Sequence, residues 1–293
     1  TFDVAVFTNL TQDHMDFHLT FENYLSAKKK LFYHAKNAAV NADDAAAGRI
    51  MEGVEGIEWL TYGIKEPADV YARNIEITPR GVTYDMCSRQ GMLPLGLKIP
   101  GIFSVYNSLS AAGACMLLGV GPEIIKTGLE AMPSVAGRFE VLDTGNRPFT
   151  IILDYAHTPD SLENTLLTVR EFARARIITV FGCGGDRDRG KRPIMGEIAG
   201  KLSSYVVITS DNPRTEDPLK IIDEIEAGIK NTDCEYICIE NRREAIRYAI
   251  HSAQPDDIIV LAGKGHETYQ EIGGVKYPFD EKVVVAELLS ADE

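Results

Sequence analysis

The sequence predicts an α/β protein whose second half folds as a doubly wound, mostly parallel sheet. Segments with helical spacing separate five short apolar runs there, and the runs are continuous rather than alternating. Continuous runs are typical of strands that helices bury on both faces. Four of the runs end in polar or glycine-rich segments, where ligands bind in such sheets. The runs are 151–153, 177–181, 206–208, 236–239 and 258–261.

Composition limits the class of protein. The 293 residues suggest two domains, and a net charge of −13 without a long basic block argues against a nucleic-acid partner. No apolar run approaches the roughly 20 residues that span a membrane, and the first residues lack a signal-peptide pattern. The five cysteines form no zinc-type pair of motifs, which indicates reduced thiols. We therefore expect a cytoplasmic protein without a membrane partner.

The elements of the first half follow from shorter patterns. The chain opens in an apolar strand without an initiator methionine, so we expect a part of a longer protein. Alternation around Pro79-Arg80-Gly81 predicts a β-hairpin over 70–87, and apolar residues keep helical spacing from Val105 to Met116. The other predicted elements are a strand at 2–7, a helix at 21–33, a strand at 38–41, a helix through 45–47, and strands at 58–62 and 93–99.

A segment rich in proline, serine and glycine at 133–137 is the predicted linker between the two halves. Helix start signals recur after it. Thr158-Pro159 and Asp217-Pro218 each combine a capping side chain with a proline at the first helical position. Asn241 followed by Glu244 has the pattern of a capping box.

Three polar features of the first half allow both a functional and a structural interpretation. The loop at 8–18 carries two histidines and two aspartates. These residues could bind Mg²⁺ or Mn²⁺ together with a phosphate, or they could form a capped turn. Lys28 belongs to a lysine triplet, which usually forms a solvated face, although apolar surroundings would lower its pKa and make it reactive. Asn107 could cap a helix or reach a ligand. The residues alone favour the solvated face and the cap.

Four polar clusters of the second half converge on one edge of the predicted sheet, because parallel strands end on the same side. Asp211 can hold an ammonium group and Arg214 a carboxylate, so together they can bind both charges of an amino acid. The structural alternative is that Asp-Asn-Pro is turn chemistry and that Arg214 is solvated. The clusters are 154–157, 182–187, 211–214 and 263–267.

The glycine-rich cluster also permits a dinucleotide-binding interpretation, which we consider weaker. A lone Gly-x-Gly-Gly after a strand has low specificity, and Asp186 and Asp188 beside it would repel a pyrophosphate. Arg187 and Arg214, at neighbouring strand ends, are better suited to the carboxylates of a small ligand. Asp154 and Tyr155 could serve a ribose and a base.

The motifs of these segments resemble those of the Mur ligases, in the order of that family and over the whole chain. Within the family they are most similar to the branch that adds meso-diaminopimelate. The resemblance implies the C-terminal part of an ATPase domain over residues 1–135 and a Rossmann-like amino-acid-binding domain over 136–293. The motifs are 9–18, 27–28, 101–107, 137–140, 154–159, 182–195, 211–214 and 263–270.

The resemblance also implies an activity in the synthesis of peptidoglycan precursors. Such an enzyme uses ATP and Mg²⁺ to activate the D-glutamyl carboxylate of UDP-N-acetylmuramoyl-L-alanyl-D-glutamate as an acyl phosphate. The amine of meso-diaminopimelate then attacks it and forms an amide. The resemblance further suggests a cytoplasmic monomer.

Residue roles carry over by position. His14 and Lys28, the latter as a carbamate, would hold Mg²⁺, and these two with Arg138, which meets the phosphates, would form the catalytic set. Asn107 would meet the adenine. Ser104 stands where relatives often have asparagine, so the resemblance does not carry over one secondary nucleotide contact at this position. The remaining roles are nucleotide binding by Asp154, Tyr155 and His157 and amino-acid binding by Arg187, Asp211, Asn212, Arg214, Gly263 and Glu267.

The sequence departs from the family in one respect that matters for activity. It contains no Gly-x-x-Gly-Lys-Thr-type phosphate loop, so we expect this chain alone to be inactive. An L-lysine-adding ligase of the same family and a non-catalytic nucleotide or amino-acid-binding module remain as alternatives. The sequence argues against a nicotinamide oxidoreductase, because residues 186–189 lack the glycine pattern that such enzymes need at the start of a helix.

Overall fold

A computed structural model describes residues 1–10, 20–65, 67–133 and 135–291. The chain divides into two compact units, unit 1 over Thr1–Pro133 and unit 2 over Ser134–Glu293. No helix within the described ranges is long and apolar enough to cross a membrane. All five cysteines are free thiols, of which Cys87 and Cys183 are buried.

Unit 1 is built on a sheet of six strands in the order β1-β2-β3-β4-β5-β6. The first four strands are parallel, and β4, β5 and β6 continue as an antiparallel meander. The predicted hairpin over 70–87 is therefore confirmed as β4 and β5. The strands are β1 (Phe2–Phe7), β2 (Ala35–Asn41), β3 (Glu58–Gly63), β4 (Val70–Thr78), β5 (Gly81–Ser88) and β6 (Gly91–Leu97).

Helices cover both faces of this sheet. The long helix α3 packs Val105, Leu109 and Ala112 onto one face, against Tyr62 and Tyr84. The other face carries α1 and α2 in a separate core cluster. The described helices are α1 (Phe21–Lys29), α2 (Ala47–Met51), α3 (Ile102–Leu117) and α4 (Pro122–Ala131).

The first helix is shorter than the predicted 21–33. It ends at Lys29, and a 3₁₀ turn over Phe32–His34 follows it. That turn buries Phe32, whose ring stacks on Trp59 with centroids 5.7 Å apart. The apolar pattern thus continued past the helix because the turn also packs on the core. Helix α4 was not predicted, although Pro122 after Gly121 is a start signal.

The segment after β2 ties together the carboxyl ends of the neighbouring strands in unit 1. Asn41 donates from Nδ2 to the Thr8 carbonyl at 2.9 Å, and the Leu10 amide donates to Asp44 at 3.0 Å. Asp43 accepts from the Ile64 amide at 2.6 Å. These bonds fix the backbone directly after β1 and directly after β3.

Unit 2 contains a six-stranded sheet in the order β11-β10-β9-β12-β8-β7. Only β7 is antiparallel to its neighbour, so the predicted doubly wound, mostly parallel fold is confirmed. Each of the five apolar runs became a strand. The strands are β7 (Glu140–Leu142), β8 (Thr150–Asp154), β9 (Ile177–Phe181), β10 (Tyr205–Ile208), β11 (Glu235–Cys238) and β12 (Ile258–Ala262).

Two helical layers enclose this sheet. Helices α8 and α9 bury Ile246 and Val285 against Val207 and Leu261 on one face. On the other face α6 and α7 approach closely, because a side chain at Gly196 or Gly228 would overlap a backbone carbonyl of the facing helix. The helices are α5 (Pro159–Arg170), α6 (Lys191–Leu202), α7 (Pro218–Ile229), α8 (Arg242–Ser252) and α9 (Glu281–Ala291).

The predicted helix starts are confirmed with one difference. Thr158 and Asp217 each accept a backbone N–H of the first turn, with proline at the start of the helix. Asn241 caps α8 as expected. The structure gives Glu244 a different partner from the one in a capping box, since its carboxylate pairs with Arg247.

A small hairpin of unit 2 was not predicted. It consists of β13 (Tyr269–Ile272) and β14 (Val275–Pro278), paired antiparallel. Gly273 and Gly274 form its turn with φ values of +59° and +78°. A Gly-Gly pair between two short runs is a hairpin signal, so the sequence did contain the information.

A buried ion pair joins the layer of α8 and α9 to the sheet. The side chains of Arg242 on α8 and Glu281 on α9 are both 0% exposed, and Nε of the arginine lies 2.8 Å from the carboxylate. Arg242 also donates from Nη2 to the Ala262 carbonyl at 2.8 Å. Burial raises the pKa of Glu281, and the guanidinium opposes this by favouring the charged form.

A second buried cation lies on the other face. Arg192 on α6 is fully buried and contacts Glu216 at 2.8 Å and Glu224 at 2.7 Å. It also donates to the Gly184 carbonyl at 3.2 Å. Its hydrogen bonds to Glu216 lower the pKa of that carboxyl from 4.5 to about 2, against the opposing effect of burial.

We predict that Arg242→Met lowers the stability of unit 2 by about 3–5 kcal/mol, because it leaves the carboxylate of Glu281 buried without its partner. Arg243→Met is the matched control, since that neighbouring arginine pairs with Glu287 at a partly exposed position. Native-state hydrogen exchange of the β12 amides measures the difference. A loss no larger than in the control would show that the pair does not stabilise the layer.

The Glu216 pKa gives a pH-dependent prediction. A carboxyl whose pKa is lower in the folded state adds stability above its ordinary pKa, and this stability is lost as the pH falls toward the lowered value. From pH 4.5 to pH 2 the wild type should lose up to about 3 kcal/mol more than Glu216→Gln. Urea unfolding at several pH values checks this, with exposed Glu235 changed to Gln as control. If the free energy of unfolding falls equally with pH in wild type and in Glu216→Gln, the prediction is wrong.

Candidate functional site

The carboxyl edge of the unit 2 sheet holds a cavity of about 710 Å³. Loops after β8, β9, β10 and β12 contribute to its wall, because these four strands are adjacent and parallel. Eight residues that the sequence singled out line it together. They are Tyr155, His157, Arg187, Asp211, Asn212, Arg214, Gly263 and Glu267.

Glycine allows the loops to approach one another at this edge. Gly263, directly after β12, has a φ of +114°, and a Cβ there would lie 2.6 Å from the carboxylate of Asp211. A side chain at Gly182, directly after β9, would overlap the Thr209 carbonyl. The Asp211 carboxylate therefore reaches the cavity through space that only glycine leaves open.

Asp211 presents a nearly buried carboxylate to the cavity. The residue is 6% exposed, and its backbone carbonyl accepts from Gln270 at 2.7 Å. Within the described ranges no hydrogen bond ends on its carboxylate, and the closest cation is Lys264 Nζ at 3.9 Å. A buried carboxylate needs charge-assisted donors, so this position suits an ammonium group.

Asn212, Lys264 and Glu267 form a closed group of polar contacts beside Asp211. Lys264 donates from Nζ to Asn212 Oδ1 at 3.1 Å and to Glu267 Oε2 at 3.2 Å. Asn212 donates in turn from Nδ2 to the same Glu267 oxygen at 2.8 Å. The sequence reasoning did not select Lys264. A lysine between two glycines at the end of a buried strand was the available signal.

Arg214 is held by the backbone around it and is not a freely solvated side chain. Its φ is +51°, its amide donates to the Glu271 carbonyl at 3.0 Å, and its own carbonyl accepts from Gly273 at 2.6 Å. Its Nη1 donates to the Gly185 carbonyl at 2.7 Å, while Nε lies 3.5 Å from the Glu271 carboxylate. The hairpin β13–β14 thus fixes one edge of the guanidinium.

The glycine loop after β9 is tied to the Arg214 segment through Asp186. Its carboxylate accepts from the Thr215 hydroxyl at 2.8 Å and from the Thr215 amide at 3.2 Å. Asp186 is therefore engaged in linking two loops. Arg187 beside it is exposed, lines the cavity and donates to the Asp186 carbonyl at 3.0 Å.

Arg138, Tyr155 and His157 gather at one side of the cavity. The Arg138 guanidinium lies 5.2 Å from the centroid of the Tyr155 ring, and the His157 ring lies 4.6 Å from it. His266 adds a third ring at 5.1 Å from Tyr155. Burial raises the pKa of Tyr155, so its hydroxyl stays protonated at neutral pH.

Asp154 lies beneath this aromatic group. Its carboxylate accepts from the Phe139 amide at 2.6 Å and from the Thr165 hydroxyl at 3.0 Å. Burial raises its pKa, and these two hydrogen bonds oppose the change. The carboxylate positions the 137–139 segment, and it retains lone pairs for further donors.

Lys28 of unit 1 reaches the end of the first strand. Its Nζ donates to the Asn9 carbonyl at 2.9 Å and lies 5.1 Å from the Tyr24 ring centroid. The solvated-face interpretation is thus incomplete, since the amine is directed to the loop after β1. His14 lies outside the described residues. The described residues contain no group of three or more His, Cys, Asp or Glu that could hold a metal ion.

Asn107 lies in the second turn of α3, on an exposed position. The cap interpretation was wrong, because the helix begins at Ile102 and Gly101 precedes it as the cap residue. Asn107 and Ser104 instead line an apolar groove of about 470 Å³ within unit 1. A ligand in that groove could contact the Asn107 amide.

Comparison with known proteins identifies the family. The model of the Mur ligase middle domain matches residues 1–115, and that of the Mur ligase glutamate ligase domain matches 137–265. The chain is 50% identical over 293 residues to a UDP-N-acetylmuramoyl-L-alanyl-D-glutamate--2,6-diaminopimelate ligase of Caldanaerobacter subterraneus subsp. tengcongensis, covering 100% of this chain and 60% of that protein. It is 50% identical over 289 residues to ligase 1 of that name from Clostridium acetobutylicum, covering 98% and 59%.

Solved structures agree with these matches. A UDP-N-acetylmuramoyl-L-alanyl-D-glutamate--2,6-diaminopimelate ligase shares 37% identity at a TM-score of 0.76, over 99% of this chain and 60% of that one. The MurF ligase of Thermotoga maritima, solved in complex with ADP, shares the fold at a TM-score of 0.66 with 17% identity, over 99% and 62%. The chain spans about 60% of the length of the curated relatives that it matches. It belongs to the Mur ligase family and contains the middle domain and the glutamate ligase domain.

Proposed function

We propose that the complete protein containing this chain is an ATP-dependent ligase of peptidoglycan precursor synthesis. It joins meso-diaminopimelate by an amide bond to UDP-N-acetylmuramoyl-L-alanyl-D-glutamate. The observation that carries this proposal is the cavity of unit 2, where a nearly buried carboxylate and a fixed guanidinium line the same space. The names of the most similar relatives support the choice of substrates.

The charges around the cavity complement an amino acid. Asp211 and Glu267 offer carboxylates for ammonium groups, and Arg214 and Arg187 offer guanidinium groups for carboxylates. These four residues come from three different loops, so a ligand that pairs with all of them must carry charges of both signs at two separated ends. meso-Diaminopimelate has an ammonium and a carboxylate at each end.

Arg214 is our candidate for the residue that distinguishes meso-diaminopimelate from L-lysine, the substrate of the alternative ligase. L-Lysine has an ammonium but no carboxylate at its far end. The guanidinium of Arg214 is oriented by Gly185 and Glu271, and Nη2 makes no hydrogen bond to any described residue. If L-lysine binds, Nη2 of Arg214 has no carboxylate to pair with. Sites built for such a group can reject a ligand that lacks it by roughly 10⁴-fold.

The nucleotide would bind at the side of Arg138, Tyr155 and His157. The aromatic rings and the exposed guanidinium there suit a base and phosphates, and the free lone pairs of Asp154 suit ribose hydroxyls. In unit 1, we assign the adenine contact to Asn107 because its amide borders an apolar groove. Residues of the chain thus bind and orient ATP, while phosphate-loop chemistry belongs to a segment not found in this sequence.

Mg²⁺ would be held by Lys28 as a carbamate and by His14, and it would supply positive charge to the transferring phosphoryl group. The surroundings of Lys28 fit a carbamate, because its nitrogen keeps one hydrogen that can still be donated to the Asn9 carbonyl.

We predict that Arg214→Ala in the complete protein raises the KM for meso-diaminopimelate steeply and narrows its preference over L-lysine. Arg214→Lys should not restore the preference, because a point charge cannot form two parallel hydrogen bonds. ADP release with each amino acid measures both effects. Arg247→Ala is the control, since that arginine is half-exposed and pairs with Glu244 on α8. A preference within a few-fold of wild type would disprove the role of Arg214 and make Arg187 the next residue to test. ADP release that depends on L-lysine and not on meso-diaminopimelate would favour the lysine-adding ligase, and no ADP release would favour the non-catalytic module.

We predict that Lys28→Ala abolishes turnover and that short carboxylates restore part of it, since they replace the lost anion. Lys30→Ala is the matched control because Lys30 is an exposed member of the same triplet. The measurement is ADP release with and without added acetate or formate. If Lys28→Ala keeps full activity, Lys28 has no role in catalysis and belongs to a solvated face.

A further inference from the structure

Lys264 is a buried cation beside the proposed amino-acid site. Its side chain is 0% exposed, and no other lysine of the described residues is buried. It does not line the cavity, although its neighbours Gly263 and Glu267 do. A ligand in the cavity would therefore contact the partners of Lys264 and not the lysine.

The backbone directs this lysine inward. Gly263 before it and Gly265 after it have φ values of +114° and +53°, which side chains rarely tolerate. A Cβ at Gly265 would also lie 2.6 Å from the Cβ of Tyr155. The two glycines close the loop over Lys264, so the side chain lies beneath the floor of the cavity.

Burying an ammonium group is costly unless its donors are satisfied and its charge is balanced. Lys264 meets this condition with Asn212 at 3.1 Å, Glu267 at 3.2 Å and Asp211 at 3.9 Å. All three partners face the cavity. One cation between two carboxylates leaves a single net negative charge on this side of the cavity, which matches one ammonium group.

The contacts also set the orientation of the Asn212 amide. An ammonium group can only donate, so Asn212 must turn Oδ1 toward Lys264, and the Glu271 amide donates to the same oxygen at 2.9 Å. Nδ2 is then directed to Glu267. Both interactions of Glu267 end on Oε2. Its other carboxylate oxygen remains available to a ligand.

We propose that Lys264 is a positioning residue of the amino-acid site, whose buried ammonium fixes Asn212 and Glu267 for the end groups of the incoming amino acid. The proposal rests on the proposed function, because it assigns Lys264 a role in that reaction. Removing the charge leaves Asn212 Oδ1 with the Glu271 amide as its remaining donor, and it leaves the carboxylates of Asp211 and Glu267 without the cation between them. The loss should appear in the binding of the amino acid and not in that of ATP.

The test is Lys264→Met in the complete protein, with KM values for meso-diaminopimelate and ATP and a melting curve for the fold. We expect the KM for meso-diaminopimelate to rise by about 30-fold, as for a lost charge-assisted hydrogen bond, and the KM for ATP to stay within about two-fold. Lys230→Met is the control, since that lysine is exposed and pairs with Glu226 on α7. A merely structural role would lower the melting temperature and kcat without changing this KM.

A double-mutant cycle separates action through Glu267 from an independent effect. If Lys264 acts through Glu267, Lys264→Met should raise the KM much less in a Glu267→Gln background than in the wild type. Full additivity, or a KM unchanged in Lys264→Met, would overturn the proposal. If Lys264→Met does not fold, Lys264→Gln, which can still donate to Asn212, replaces it. If neither folds, Lys264 serves the fold alone and the proposal is wrong.

The wild-type measurement distinguishes the two proposals. Wild type that forms no ADP in response to meso-diaminopimelate contradicts the proposed function, and the Lys264 proposal fails with it. Wild type that does so, combined with an unchanged KM in Lys264→Met, contradicts the Lys264 proposal alone.

Discussion

Three buried cations hold the carboxyl edge of the unit 2 sheet, and the geometry of the candidate site depends on them. Arg242 binds the backbone at the end of β12, Arg192 binds the loop after β9, and Lys264 binds Asn212 after β10. All three side chains are 0% exposed. These three contacts form only when the loops occupy these positions, and their loss is costly because an ammonium or guanidinium without partners is unfavourable in the interior. The loops that line the cavity are therefore fixed from below, by groups that a ligand does not contact.

This arrangement explains how an exposed edge can present nearly buried acidic groups. The carboxylate of Asp211 reaches the cavity through the space left by Gly263, and its charge is only partly balanced by Lys264 at 3.9 Å. Arg214 is oriented by Gly185 and by the hairpin, so its free edge is in place before a ligand arrives. A site whose charges are already oriented loses less entropy on binding and discriminates more strongly against a ligand that lacks one partner.

The sequence contained most of this fold, because continuous apolar runs and capping residues are local signals. The runs at 177–181 and 258–261 predicted buried strands of a parallel sheet, and the parallel order brings Asp211, Arg214 and Glu267 together at one edge. The sequence could not predict contacts between residues that are far apart along the chain. Arg242 and Glu281 are 39 positions apart, and nothing in the residues around either one indicates the other. Lys264 was overlooked for the same reason, since its role depends on Asn212, 52 positions earlier. Asn107 shows the opposite error, because a local capping rule was applied without the start of the helix.

We propose that Asp211 and Arg214 bind opposite charges of one amino acid, while Lys264 holds the surrounding groups without contacting it. The most direct measurement is the structure of the complete protein with meso-diaminopimelate bound. We expect an ammonium of the ligand on the Asp211 carboxylate, a ligand carboxylate on the free edge of the Arg214 guanidinium, and Lys264 still donating to Asn212 and Glu267. A ligand bound outside this cavity, or one whose carboxylate pairs directly with Lys264, would contradict the account.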